Sequence, residues 1–183
     1  MTLPAMILAG GSATRMGGGD KPLLEWRGRD LIDWVLDDLR GMAGPIAINA
    51  QHGPQWDRFG LQVVPDTIAD CGPLSGIHTA MQWASQARHV LVVAGDTIRL
   101  PRDLTARLGT GPAYAASYQG DEWRAHPTIG IWPTDLAANL AERLIAGDRR
   151  VMKWASAVGA TEVRFEGDYF RNFNTPEDLA AAD

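Results

Sequence analysis

One cysteine, Cys71, stands in the whole chain, which excludes an internal disulfide framework and any multi-cysteine metal site. Cations are in the minority: 17 lysines and arginines against 22 aspartates and glutamates leave a formal charge of −5. Broad binding to nucleic acid needs a basic stripe, and the basic residues here are scattered, apart from a loop near the amino terminus and the pair Arg149-Arg150. No apolar run reaches the length of a membrane span. The first nine residues are short and lack a basic flank, so they do not read as a secretory leader. The expectation is a soluble cytoplasmic protein with neither nucleic acid nor membrane as partner. What is present is 183 residues with 45% hydrophobic content, enough for one domain over residues 1–183 with an adequate core. No internal repeat, linker or low-complexity tract interrupts it.

The most informative run is Leu8 to Lys21, LAGGSATRMGGGDK, which follows the apolar segment Ala5-Met6-Ile7-Leu8 and holds five glycines, Arg15 and Lys21. Glycine lacks a Cβ and tolerates positive φ, so such a backbone can approach a bulky anion closely. Successive N–H groups form an anion-binding concavity, and the two cations add full positive charge. A strand running into this loop reads as a di- or triphosphate cradle. Neither common phosphate motif is matched: Lys21 is followed by Pro22 rather than Ser or Thr, and Gly10-Gly11-Ser12 breaks the dinucleotide fingerprint. A glycine-rich surface turn with incidental charges is the bland alternative.

Short apolar runs then alternate with helical patterns. Residues 5–9, 46–50, 62–65 and 89–94 read as strands, and His89-Val90-Leu91-Val92-Val93-Ala94 has the near-continuous character of a strand buried on both faces. Leu31, Ile32, Val35, Leu36 and Leu39 recur at helical spacing, as do Leu74, Ile77, His78, Met81 and Ala84. Further strands are expected at 113–117, 128–132 and 162–165, and helices near 135–146 and 150–158. Thr175-Pro176-Glu177-Asp178 opens like a capping box. The order β-α-β-β-α-β predicts an α/β fold: a mostly parallel sheet between two helical layers, an α/β/α sandwich of Rossmann-like character.

Open parallel sheets bind ligands at the carboxyl ends of their strands. Gly10 follows the first strand, Asn49 ends the second, Asp66 follows the third and Asp96 the fourth, so all four are expected on one rim. Asp96 suits a Mg²⁺ ligand, since that ion takes one or two carboxylates and keeps several waters; a turn or helix-cap role is the alternative. Asp66 can accept from base N–H groups or ribose hydroxyls, or serve a turn. Gly72-Pro73-Leu74-Ser75-Gly76 leaves a bare helix N-terminus. His126 at a strand start has a plain structural reading, the Arg149-Arg150 pair suits an anionic partner or a solvated face, and Cys71 reads as an ordinary turn or core thiol. Alternation points Asn172 and Asn174 to one face of an extended segment.

Taken together, Leu8-Ala9-Gly10-Gly11, Arg15-Met16-Gly17, Lys21, Gly72-Pro73-Leu74-x-Gly76, His126-Pro127 and Asn172-x-Asn174-Thr175-Pro176-Glu177-Asp178-Leu179 resemble the molybdenum cofactor guanylyltransferases (the MobA family), along nearly the full length. The resemblance implies the nucleotide-diphospho-sugar transferase fold and transfer of GMP from MgGTP to the terminal phosphate of molybdopterin, with release of pyrophosphate. It assigns nucleotide contacts to Leu8, Ala9, Gly10, Gly11, Lys21, Asn49, Asp66 and Asp96, and catalysis to Arg15, Lys21 and Asp96. Asp96 would hold Mg²⁺, with Mn²⁺ as an alternative, and His126, Arg149, Arg150, Asn172 and Asn174 would meet the pterin. Partners implied are GTP, molybdopterin and, transiently, molybdenum-insertion proteins or recipient molybdoenzymes. One departure stands out: the family places x-Pro after the metal aspartate, whereas Ile98-Arg99 precede Leu100-Pro101 here. The related cytidylyltransferases, which use CTP, read L-A-A-G at the first motif and carry aspartates where Asn172 and Asn174 stand, so both motifs favour GTP. A non-catalytic pterin- or nucleotide-binding chaperone is the rival of another class.

Overall fold

The apolar runs of the sequence assemble into one sheet in the computed structural model, which describes residues 3–10, 20–68, 71–120 and 122–173. Strand β1 (Ala5–Leu8) is followed by a small hairpin, β2 (Glu25–Trp26) and β3 (Arg29–Asp30), and by helix α1 (Leu31–Leu39). The hairpin turns at Arg27-Gly28, both at positive φ, the geometry that matches the twist of two paired strands. Strands β4 (Ile46–Asn49) and β5 (Gln62–Val63), helix α2 (Pro73–Trp83) and strand β6 (His89–Ala94) come next. The second half holds β7 (Thr97–Ile98), α3 (Leu104–Leu108), β8 (Ala113–Gln119), β9 (Glu122–Pro133), α4 (Ala137–Ile145), α5 (Val151–Ala157), β10 (Thr161–Phe165) and β11 (Arg171–Asn172).

The main sheet has the order β10-β8-β9-β6-β1-β4-β5. All its pairings are parallel except those that β9 makes with β6 and β8. Side chains alternate along each strand, and the alternation sorts them into two cores. Ala5, Ile7, Ile48, Leu91 and Val93 face α1 and α3, while Met6, Ala47, Val90 and Val92 face α2, α4 and α5. The three-layer sandwich with a mostly parallel sheet is therefore as the sequence pattern foresees. Trp132 and Trp154, both fully buried, stack with ring centres 4.7 Å apart and lock α5 onto the sheet.

Two features depart from the sequence reading. Strand β9 starts at Glu122, six residues before the expected Thr128, because it pairs along the whole of β8. Its register jumps where Tyr114 opposes Gly130 and Ala115 opposes His126, leaving Pro127, Thr128 and Ile129 as extra residues. A proline without an N–H donor is tolerated at such a bulge, and a bulge re-aims the side chains beside it. The other is a two-stranded sheet of β7 and β11, Thr97 opposite Asn172 and Ile98 opposite Arg171, which ties the end of the described chain to the turn after β6. The helix foreseen from Thr175 lies outside the described residues.

Leu91 sits at zero exposure in the middle of β6. Truncation to alanine there removes apolar contacts and leaves a cavity. Leu91→Ala is expected to lower the unfolding free energy by about 2–5 kcal/mol, measured by urea denaturation; an unchanged midpoint would mean that this strand is not the centre of the core.

Candidate active site

Register decides what meets on the rim. Leu8 pairs with Asn49 on one side and with Ala94 on the other, so the three central strands end level with one another. The backbone carries this pairing one step further: Ala9 donates its N–H to the Asn49 carbonyl, and Gly95 donates to the Leu8 carbonyl, both at 2.9 Å. The Ala9 N–H and the Leu8 carbonyl, in two of the residues that the resemblance assigns to the nucleotide, are thus engaged in the sheet. Beyond them opens a cleft of about 370 Å³, lined by Leu8, Ala9, Gly10, Lys21, Asn49, Asp66, Asp96 and Asn172 among others. Every described residue that the sequence assigned to the nucleotide lines this one cleft.

At one end of the cleft three polar side chains converge. Lys21 Nζ lies 2.5 Å from Asp96 Oδ2 and donates to Asn172 Oδ1 at 2.9 Å. Lys21 opens a single 3₁₀ turn with Pro22 behind it, and Asp96 occupies the turn between β6 and β7, where Thr97 donates its hydroxyl to Asp96 Oδ1 at 3.3 Å. Asn172 arrives from β11, held by its backbone pairing with Thr97. Gly95 has no room for a side chain: a Cβ there would stand 2.9 Å from Pro22 Cγ and 3.1 Å from the Leu8 carbonyl oxygen. That close approach lets the Lys21 turn sit against the strand ends. Asp96 and Asn172 present oxygen donors, and a cation, the Lys21 ammonium, already sits between them. Among the described residues no group of three or more His, Cys, Asp and Glu converges as a metal cage. The donor set suits a hard ion that keeps waters and shares substrate oxygens.

At the other end the Asp66 carboxylate is held by an amide and a hydroxyl. Asn49 is 3% exposed and uses its carboxamide as a double donor, to the Val64 carbonyl at 3.0 Å and to Asp66 Oδ1 at 2.8 Å. Thr79, on α2, donates its hydroxyl to the same Asp66 oxygen at 3.1 Å. The helix comes this close because Gly76 has no side chain; a Cβ would stand 2.6 Å from Asn49 Oδ1 and 2.7 Å from Leu8 Cδ2. Gly72 caps the helix at φ 61 and ψ −150, a conformation open to glycine. With Pro73 it turns the bare N-terminus of α2 into the cleft lining.

Other expected residues lie elsewhere. The His126 ring contacts Ser117 Oγ through Nε2 at 2.8 Å and packs on Phe170, ring centres 5.2 Å apart; it does not line the cleft. Burial, with a smaller contribution from Arg124, depresses its pKa to about 4. Thr128, in the bulge two residues on, reaches the cleft instead. Arg149 donates to the Leu144 carbonyl at 2.7 Å. With Arg150 and Lys153 it borders a separate surface pocket around Asp148, whose carboxyl is held low chiefly by the Lys153 hydrogen bond. Gly11, Arg15 and Asn174 lie outside the described residues. Sequence reasoning missed Thr128 and Thr79. The bulge signal was present in Pro127 inside a strand pattern, whereas a threonine on an apolar helix face carries no local mark.

A histidine whose folded pKa lies below its unfolded value binds its proton more weakly when folded. Its contribution to stability is complete above about pH 6.5 and lost as pH falls toward about 4. His126→Gln is expected to flatten the stability–pH curve across that window, read from urea midpoints at several pH values. A slope equal to that of the unmodified protein would place the acid sensitivity in another group.

Comparison with known proteins agrees with this geometry. Residues 5–161 match the family model of the MobA-like NTP transferase domain. The molybdenum cofactor guanylyltransferase of Yersinia pestis (strain Pestoides F) is 37% identical over 181 residues, 96% of this chain and 92% of that protein. Among solved structures, molybdopterin-guanine dinucleotide biosynthesis protein A from Archaeoglobus fulgidus superposes with a TM-score of 0.73 at 19% identity, over 98% of this chain and 96% of that one. A Mycobacterium tuberculosis H37Rv protein in complex with manganese gives 0.71 at 18% identity, over 99% and 97%; at these identities both report the fold alone. Sequence match, fold and the arrangement of the cleft coincide: the chain belongs to the MobA-like NTP transferase family.

Proposed function

We propose that this chain transfers GMP from GTP to the terminal phosphate of molybdopterin and releases pyrophosphate, working as one nucleotidyltransferase domain. A single observation carries the reading: one cleft joins a charged end, where Lys21 meets Asp96 and Asn172, to an amide-lined end, where Asn49 and Thr79 hold Asp66. The first end suits a polyphosphate with its metal, the second a nucleoside. Asn172 is in place at the charged end, and Leu8-Ala9-Gly10-Gly11 opens the loop, so both motifs that separate GTP from CTP users in the family stand on the GTP side.

The chemistry asks little acid–base help of the protein. An oxygen of the pterin phosphate is already anionic; it forms a bond to the α-phosphorus of GTP as the bond from that phosphorus to the bridging oxygen of the β-phosphate breaks. Electrons of the broken bond leave with pyrophosphate, and no proton needs removal from the nucleophile. Catalysis then rests on positioning and on neutralising charge. Lys21, with Arg15 from the same glycine-rich run, holds the triphosphate and stabilises the departing pyrophosphate. Asp96 would hold the divalent ion, Mg²⁺ or Mn²⁺, which would supply positive charge to the phosphate oxygens. The oxygens of Asp96 and Asn172 suit such an ion, and the Lys21 ammonium that now bridges them would move to the phosphate as the nucleotide enters.

Lys21→Ala is expected to lower kcat by about 10²-fold or more, the usual cost of one preorganised electrostatic contact, and Asp96→Ala to leave almost no turnover. Pyrophosphate release from a mixture of GTP, Mg²⁺ and molybdopterin measures both. Normal turnover of Asp96→Ala at saturating Mg²⁺ would remove the metal assignment. Faster release with CTP than with GTP would reassign the nucleotide, and no release with either would favour a carrier role.

A further inference from the structure

Asp66 is a carboxylate with two oxygens, and the fold treats them unequally. Oδ1 accepts from Asn49 Nδ2 at 2.8 Å and from Thr79 Oγ1 at 3.1 Å. Each carboxylate oxygen offers about two lone-pair sites, so these donors fill Oδ1. Oδ2 accepts from no described residue, while Asp66 itself lines the cleft. The donors are rigidly seated. Asn49 is fixed by its second bond to the Val64 carbonyl, and Thr79 is 1% exposed in the middle of α2. Thr79 is absent from the cleft lining and has no path to a ligand of its own. A buried threonine hydroxyl spent on one oxygen of a cleft carboxylate orients that carboxylate.

Resting on the GTP reading above, we propose that Thr79 is a positioning residue for nucleotide recognition: with Asn49 it saturates Asp66 Oδ1 and turns Oδ2 alone toward the nucleoside. Recognition is then one-sided. A guanine edge that engages both carboxylate oxygens, one N–H on each, would have to displace Thr79 or Asn49. Oδ2 by itself accepts the N1–H and N2–H donors in a shared arrangement, or a ribose hydroxyl. Thr79 stands three residues after Gly76 on the same helical face, so the glycine that admits Asn49 and the threonine that aims Asp66 form one device on α2.

The test compares steady-state pyrophosphate release by the unmodified chain, Thr79→Val, Thr79→Ser, Asp66→Asn and the double variant Thr79→Val/Asp66→Asn, with GTP, inosine triphosphate and 2′-deoxyGTP. Valine keeps the shape and removes the donor. Thr79→Val is expected to raise KM for GTP about tenfold, the order of one hydrogen bond to a charged group, while kcat changes less than twofold. Thr79→Ser restores KM. In the Asp66→Asn background Thr79→Val adds less than a twofold change, because its effect passes through that carboxylate. If Oδ2 takes base N–H groups, Thr79→Val narrows the preference for GTP over inosine triphosphate; if it takes a ribose hydroxyl, the preference over 2′-deoxyGTP narrows instead. Should Thr79→Val lose its cooperative thermal transition, Thr79→Cys, with a weak S–H donor, carries the same expectation. An unchanged KM in Thr79→Val, or a full additional loss in the double variant, overturns the proposal. Absence of pyrophosphate release by the unmodified chain fails the parent reading, and the effect of Thr79→Val on GTP affinity, by equilibrium dialysis, then decides the role of Thr79 separately.

Discussion

The level ending of β4, β1 and β6 is the constraint on which the site depends. Parallel pairing fixes Leu8 opposite both Asn49 and Ala94, and a slip of one residue would turn every side chain on β1 to the opposite layer. Met6 belongs to the core under α2 and Ile7 to the core under α1, so hydrophobic burial on both faces enforces the register. Function inherits it. The segments that leave the strands, at Gly10, at Asp96 and, after β5 beside β4, at Asp66, reach a common cleft because the strands beneath them are in register. No single polar contact in the cleft could supply that alignment, since each is individually worth little against the entropy of ordering it.

Upon this platform the cleft is built from elements that lie far apart in the chain. Lys21 and Asn172 are separated by 151 residues, yet their side chains bond, and the link passes through a two-residue pairing of β11 with β7. Arg99 and Phe170, both at positive φ without being glycine, flank that small sheet, and the Phe170 N–H donates to the Arg99 carbonyl at 3.3 Å. An ion pair between Arg99 and Asp168 closes the same junction. Positive φ in non-glycine residues persists only where surrounding structure over-determines it. Ile98-Arg99, the departure from the family pattern, therefore belongs to the clamp that delivers Asn172, and the carboxylate beside it keeps its place.

Much of this was legible in the residues. The unbroken run at 89–94 announced a strand covered on both sides, and the helical spacing of Leu31, Ile32, Val35, Leu36 and Leu39 announced a helix where α1 stands. The glycine-rich exit, Asn49, Asp66 and Asp96 could be placed on one rim from strand order alone. Four things could not. Two-residue strands such as β2, β3, β7 and β11 carry no periodicity to detect. The extent of β9 is set by its partner β8 and not by its own pattern. The orientation of a side chain beside a bulge is decided by packing, so His126 turns to Ser117 and Phe170 while Thr128 takes the cleft. The sequence does not show where the Arg149-Arg150 pair lies; in the structure it borders a surface pocket around Asp148, apart from the cleft.

The two margins of the main sheet are β5 and β10. Strand β5 has only two residues, and β10, TEVRF, carries Glu162 and Arg164 joined by an ion pair at 3.0 Å. Short or charged borders make poor templates for an incoming strand. The greasy middle of the sheet is consequently fenced at both sides, and neither border of the described sheet offers a ready seam along which copies could zip into fibrils.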